Sequence, residues 1–146
     1  MKNREYLSLL VGLFIFTMPF ESQAESYLGD FCWQVTENEA PAWIYKFGVY
    51  EKEGVRYALY GTGDDGNGGI AAANGNAEIV GSNIIMTITG SGIGEQIGAW
   101  SETFSAIMSI STLSGTWHNI GTIYDNIGSP QDPYHNNGTL ARITCP

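Results

Sequence analysis

The residues that could do chemistry in this chain are few and scattered. Asp64-Asp65-Gly66-Asn67-Gly68-Gly69 alternates oxygen-bearing side chains with glycine, as part of a calcium loop does. Counting twelve positions from Asp64 or Asp65 lands on Gly75 or Asn76, where an EF-hand needs a bidentate glutamate, so a plain turn is the expectation. His118 and His135 are the only histidines, and two imidazoles without further ligands make no zinc site. Serines are plentiful, but none stands in a nucleophile motif beside a base. Among the acids, Glu102 shares the alternation of Phe104 and is expected to face inward, where burial would raise its pKa. Asp125 is a second inward candidate. No catalytic residue, metal site or cofactor is implied. Asn137-Gly138-Thr139 matches a glycosylation sequon, which matters only in a eukaryotic secretory host.

Two cysteines, Cys32 and Cys145, bracket nearly the whole mature chain. Neither has a CxxC partner or a neighbouring histidine to activate it, so pairing is expected over reactivity. Closing so long a loop stabilises a fold by about 4–5 kcal/mol on the chain-entropy view. A disulfide implies an oxidising compartment, and the amino terminus agrees. Lys2 and Arg4 precede an apolar run from Leu7 to Phe20, and Glu21-Ser22-Gln23-Ala24 offers small residues for cleavage. This reads as a signal peptide over residues 1–24, with one domain over 25–146 and an exported, periplasmic or extracellular destination. The run is too short for a spanning helix, and no later segment offers one.

The mature part holds four basic residues, Lys46, Lys52, Arg56 and Arg142, against 13 acidic ones. Such a surface repels phosphate backbones and disfavours nucleic acid as a partner.

The elements that must position these residues are strands. Glycine, threonine and aromatic residues alternate between turn signals, with no amphipathic helix. Eight strands are predicted over 29–37, 43–51, 55–62, 72–80, 84–90, 100–112, 116–125 and 138–145. Phe31, Trp33 and Val35 share one face; so do Trp43, Tyr45, Phe47 and Val49; so do Phe104, Ala106, Met108 and Ile110. Lys52-Glu53-Gly54 suits a three-residue hairpin that pairs Val49 with Tyr57 and Phe47 with Leu59. Gly81-Ser82 suits a type II′ turn that pairs Ile79 with Ile84 and Ala77 with Met86. A third tight turn falls near Ser114-Gly115. Longer connections are expected over 38–42, 63–69, 91–99 and 126–137. Tight turns then gather at one end and long loops at the other. Pairing the first strand with the eighth, with Cys32 opposite Cys145, closes an eight-stranded antiparallel up-and-down barrel. That register makes Trp33 and Arg142 diagonal neighbours at the tight-turn end. A two-sheet β-sandwich is the alternative.

A tryptophan on the first strand covered by a basic residue from the last resembles the signature of the calycin superfamily, which includes lipocalins, avidins and fatty-acid-binding proteins. Gly29-Asp30-Phe31-Cys32-Trp33 looks like a stretched lipocalin Gly-x-Trp opening, and Gly115-Thr116-Trp117 looks like the Gly-Thr-Trp of avidins on a different strand. The lipocalin Thr-Asp-Tyr motif and C-terminal helix are absent. The contrast between a closed end and an open, loop-rimmed end with aromatic residues around it suggests a non-catalytic barrel that binds a small apolar or aromatic ligand through its long-loop end.

At that end the aromatic rim is expected to comprise Trp43, Tyr60, Trp100 and Tyr124, with Tyr134 and His135 in the last loop. Trp33 and Arg142 are expected to be structural. Tyr45, Phe47, Met86, Phe104 and Met108 are large inward residues, which argues for a small cavity or none. Two alternatives stand beside ligand binding. One is a protein-interaction module or inhibitor presenting its loops, similar to small periplasmic protease-inhibitor barrels. The other is a calycin-like isomerase or cyclase.

Overall fold

A computed structural model describes residues 25–37, 40–94, 98–125 and 127–146, the side chains of 40–42 aside. The proposed signal peptide lies outside the described residues. The strands are β1 (Ser26–Glu37), β2 (Ala40–Glu53), β3 (Arg56–Asp64), β4 (Ile70–Val80), β5 (Asn83–Gly94), β6 (Gly98–Ser109), β7 (Gly115–Tyr124) and β8 (Tyr134–Ile143). Each pairs antiparallel with the next, and β8 pairs with β1, so the sheet is a closed barrel. The β1–β8 ladder excludes the sandwich and removes both edges.

The register of β1 on β8 differs from the expected one by two residues. Cys32 pairs with Ile143 and Trp33 with Arg142. Cys145 lies two positions beyond the end of β8 and reaches Cys32 diagonally, with Cα atoms 5.1 Å apart. That separation suits a disulfide without demanding directly opposed residues. Because the slip is even, no side chain changes face. Trp33 and Arg142 are therefore direct partners on the inner face near the closure, a weakly calycin-like arrangement. The Arg142 guanidinium stands 4.6 Å from the Phe31 ring centroid and 6.0 Å from that of Trp33. Phe31 is thus the nearer platform, and Trp33 anchors the tight-turn end by donating its indole N–H to the Leu113 carbonyl at 2.9 Å.

The β4–β5 turn is as expected: Ile79 pairs with Ile84 and Ala77 with Met86. Gly81 has a φ of 63°, while no positive φ falls on Ser82, as a II′ turn requires. The β2–β3 hairpin is tighter than expected. Gly54 and Val55 form a two-residue turn, and an irregularity between Glu51 and Glu53 absorbs the extra residue. Val49 consequently pairs with Leu59 and Phe47 with Gly61, again an even slip. The β6–β7 connection starts earlier than predicted. Ile110 leaves the inward row of Phe104, Ala106 and Met108 and enters the turn, where it is exposed.

The opposite end has less loop than the sequence suggests. Residues 40–42, 91–94 and 98–99 are strand, leaving longer connections among the described residues at 65–69 and at 125 and 127–133. Ser91-Gly92-Ile93-Gly94 reads as loop by composition, yet Gly92 pairs with Trp100, and a side chain there would meet the Ile70 carbonyl and the Trp100 ring. Tyr134 and His135 begin β8 instead of belonging to the preceding loop.

The barrel interior is asymmetric. Away from the tight turns, β3, β4 and β5 present small inward residues, such as Gly63, Ala71, Ala73 and Gly90. Large rings on β1, β2, β6 and β7 fill the space that those residues leave. Towards the tight turns Phe47, Leu59, Met86, Met108 and Leu140 pack solid, each 2% exposed or less. Burying each such side chain contributes about 2 kcal/mol.

Candidate functional site

The ring packing stops short of the end opposite the tight turns. There a cup of about 310 Å³ opens, walled by Trp43, Tyr45, Trp100, Phe104, Trp117 and Tyr134. Glu102, Asn119 and Asn136 supply polar groups, and Glu37 stands at its side. Its size is at the lower end of small-molecule sites. A hollow of only about 10 Å³ lies deeper, on the far side of Glu102 and Tyr45. That is room for at most a single water, so the cup is confined to one end of the barrel.

Glu102 is the chemical centre of the cup. It alternates with Trp100 and Phe104 on β6, which aims its carboxylate inward. Three donors converge on it. Tyr45 Oη donates to Oε1 at 3.3 Å, Tyr134 Oη donates to Oε2 at 3.2 Å, and the Asn119 amide donates to Oε2 as well. The orientation of Asn119 is fixed from behind, because its Oδ1 accepts the Asn136 backbone N–H at 2.9 Å. Only the Nδ2 side is then left to face the carboxylate. Tyr134 reaches across because Gly121, its register partner on β7, has no side chain; a Cβ there would collide with the Tyr134 ring.

Burial raises the pKa of Glu102 above its ordinary value. The bonds from Asn119, Tyr134 and Tyr45 oppose this, and the nearby Glu37 charge adds to it. The same desolvation, reinforced by the Glu102 charge, pushes the Tyr45 and Tyr134 hydroxyls up beyond the titrating range. Both tyrosines therefore stay protonated and act as donors.

The aromatic wall is built by pairwise contacts. Trp43 meets Trp100 edge-on, with centroids 5.5 Å apart and planes at 71°, and stacks on Tyr45 at 6.1 Å. Phe104 stacks on Trp117 at 5.2 Å. The Trp117 indole N–H is satisfied at the barrel seam by the Thr36 and Thr139 carbonyls. Trp100, only 4% exposed, has no partner for its indole N–H among the described residues.

Of the rim expected from sequence, Trp43, Trp100 and Tyr134 line the cup. Tyr60 is on the outer wall, half exposed and edge-on to Tyr50. Tyr124 lies in a shallow outer depression near Ser101, and His135 is exposed on the outer face of β8. Tyr45 and Phe104 line the cup, whereas Phe47, Met86 and Met108 belong to the solid core. Glu102 faces inward as its alternation requires. Asp125 does not: it is exposed, and its Oδ1 accepts the Ile127 and Ser129 backbone N–H groups to shape the β7–β8 loop. Asp64 and Asp65 likewise spend their carboxylates on their own loop, accepting from Gly66, Asn67 and Gly69. Asn119 and Asn136 were not singled out from sequence. Their signal was alternation with Trp117 and with Leu140, hidden because polar residues on an inner face read as loop or solvent side.

Comparison of the chain with protein-family models, with curated proteins and with solved structures finds no match. The functional reading therefore rests on the geometry of the cup.

Proposed function

We propose that this chain is an exported, non-catalytic barrel that binds a small ligand in the cup at the end opposite the tight turns. The observation that carries this reading is a cavity with aromatic walls and a fixed polar group at its floor. Such a combination gives area for affinity and a few placed polar atoms for orientation. Trp43 and Trp100 form the apolar clamp, and Tyr134 and Glu102 set the polar end. The export reading rests on the amino-terminal sequence and on the disulfide, which persists in oxidising compartments.

Exposing the mature protein to a mixed pool of lipophilic small molecules, followed by native mass spectrometry, tests the proposal. Retention of a ligand that Trp43→Ala and Trp100→Ala release is expected. A protein that retains nothing from the pool counts against it.

A second reading, an isomerase or cyclase, draws on Glu102 alone, since a buried carboxylate with a raised pKa in a cavity is a general-acid candidate. It predicts turnover that Glu102→Gln abolishes while ligand retention persists.

A further inference from the structure

We propose that the occupant of the cup is an organic cation, an ammonium group on an apolar or aromatic body, bound between the rings of Trp43, Tyr45 and Trp100 and the Glu102 carboxylate. The proposal rests on the small-ligand reading above and names its chemical class.

Glu102 and Glu37 both line the cup. Every basic residue of 25–146 is placed elsewhere. Lys46 pairs with Asp30, Lys52 with Glu25, and Arg56 with Glu53 and Glu78, all on the outer wall. Arg142 is held at the far end of the barrel by Phe31 and the Cys32 and Ile143 carbonyls. His118 and His135 are exposed on the outer face. No described side chain of the protein thus offers Glu102 a positive partner, and a carboxylate withdrawn from water without one is costly.

An ionised carboxylate offers about four acceptor positions. Asn119 and Tyr134 occupy Oε2, and Tyr45 takes one position on Oε1. One position on Oε1 is left unfilled. All three donors are neutral, so they orient the charge and leave it uncompensated.

Indole and phenol rings at 71° and 28° to one another surround the space beside Glu102, and ring faces attract an ammonium while rejecting an anion. A bare metal ion fits less well, since no three metal-ligating side chains cluster among the described residues. The formal charge of −9 also draws cations towards the protein.

Three probes of one shape decide the matter on the mature protein: benzyltrimethylammonium, its neutral carbon analogue neopentylbenzene, and the anion phenylmethanesulfonate, each titrated calorimetrically. Hydrophobic transfer alone favours the hydrocarbon, so a preference for the cation reports the carboxylate and the ring faces. The expected result is a cation Kd lower than that of the hydrocarbon, no binding of the anion, and a loss of about tenfold or more in cation affinity in Glu102→Gln. Binding of the hydrocarbon as tight as the cation, or binding of the anion, overturns the charge assignment while leaving the cup a ligand site. Failure of all three probes overturns both. The comparison of probes on the unaltered protein decides even if Glu102→Gln does not fold.

Discussion

At the scale of single residues, Glu102 governs the account. Its folded pKa lies above the unfolded one because burial outweighs its three hydrogen bonds. Its protonated form is therefore favoured by the fold. The stability it contributes is complete below the ordinary carboxylate value of 4.5 and is lost as pH rises through the raised folded value. Glu102→Gln removes that dependence. The stability of the variant relative to the unaltered protein is expected to improve from the ordinary carboxylate value up to the raised folded value and then level off, read as the difference between the two melting temperatures at each pH. A difference that is flat with pH contradicts the burial argument. Asn119 is the other decisive residue, 7% exposed and bonded on both sides of its amide. Asn119→Leu strands the Asn136 N–H and removes a donor from Glu102. It is expected to destabilise by about 2 kcal/mol in urea unfolding.

At the scale of elements, the barrel depends on where side chains are missing as much as on where they are large. Gly121 lets Tyr134 cross β7 to Glu102, and a Cβ would meet both that ring and the Ser101 carbonyl, 2.8 Å away. Gly121→Val is expected to cost about 1–3 kcal/mol by overpacking and to weaken ligand retention by displacing Tyr134, checked by thermal unfolding and by native mass spectrometry on one preparation.

The strands themselves were legible because alternation and turn chemistry are local. Gly81-Ser82 fixed its hairpin outright, and the two registers that slipped moved by two residues, which preserves every inside and outside assignment. What alternation could not reveal was the cup. Whether Gly92 is a loop residue or the floor under an indole depends on Trp100 eight positions away, and whether Tyr60 or Tyr134 reaches a cavity depends on facing strands. Tyr60 neighbours Leu59, which takes the inner face, so the Tyr60 ring stands on the outer wall. Tyr134 reaches the cup from a segment that composition assigns to a loop.

At the scale of the molecule, one covalent link and one ladder close the ring. Cys32 is fully buried and bonded to a residue 113 positions later, just beyond β8. Replacing both cysteines by serine is expected to lower stability by about 2–5 kcal/mol, measured by denaturant unfolding, with the strand content retained by circular dichroism. The barrel divides along its axis into a packed half that supplies stability and an open end that is free to hold a ligand. That division places the four tryptophans usefully. Trp43, Trp100 and Trp117 line the cup, whereas Trp33 is buried towards the tight turns with its N–H on Leu113. The most direct test of the central claim is to follow the four indole N–H resonances by NMR while titrating benzyltrimethylammonium and then neopentylbenzene. Ligand binding in the cup predicts that Trp43 and Trp100 shift with at least one probe while Trp33 stays still. Shifts centred on Trp33, or four resonances unmoved by either probe, would contradict it.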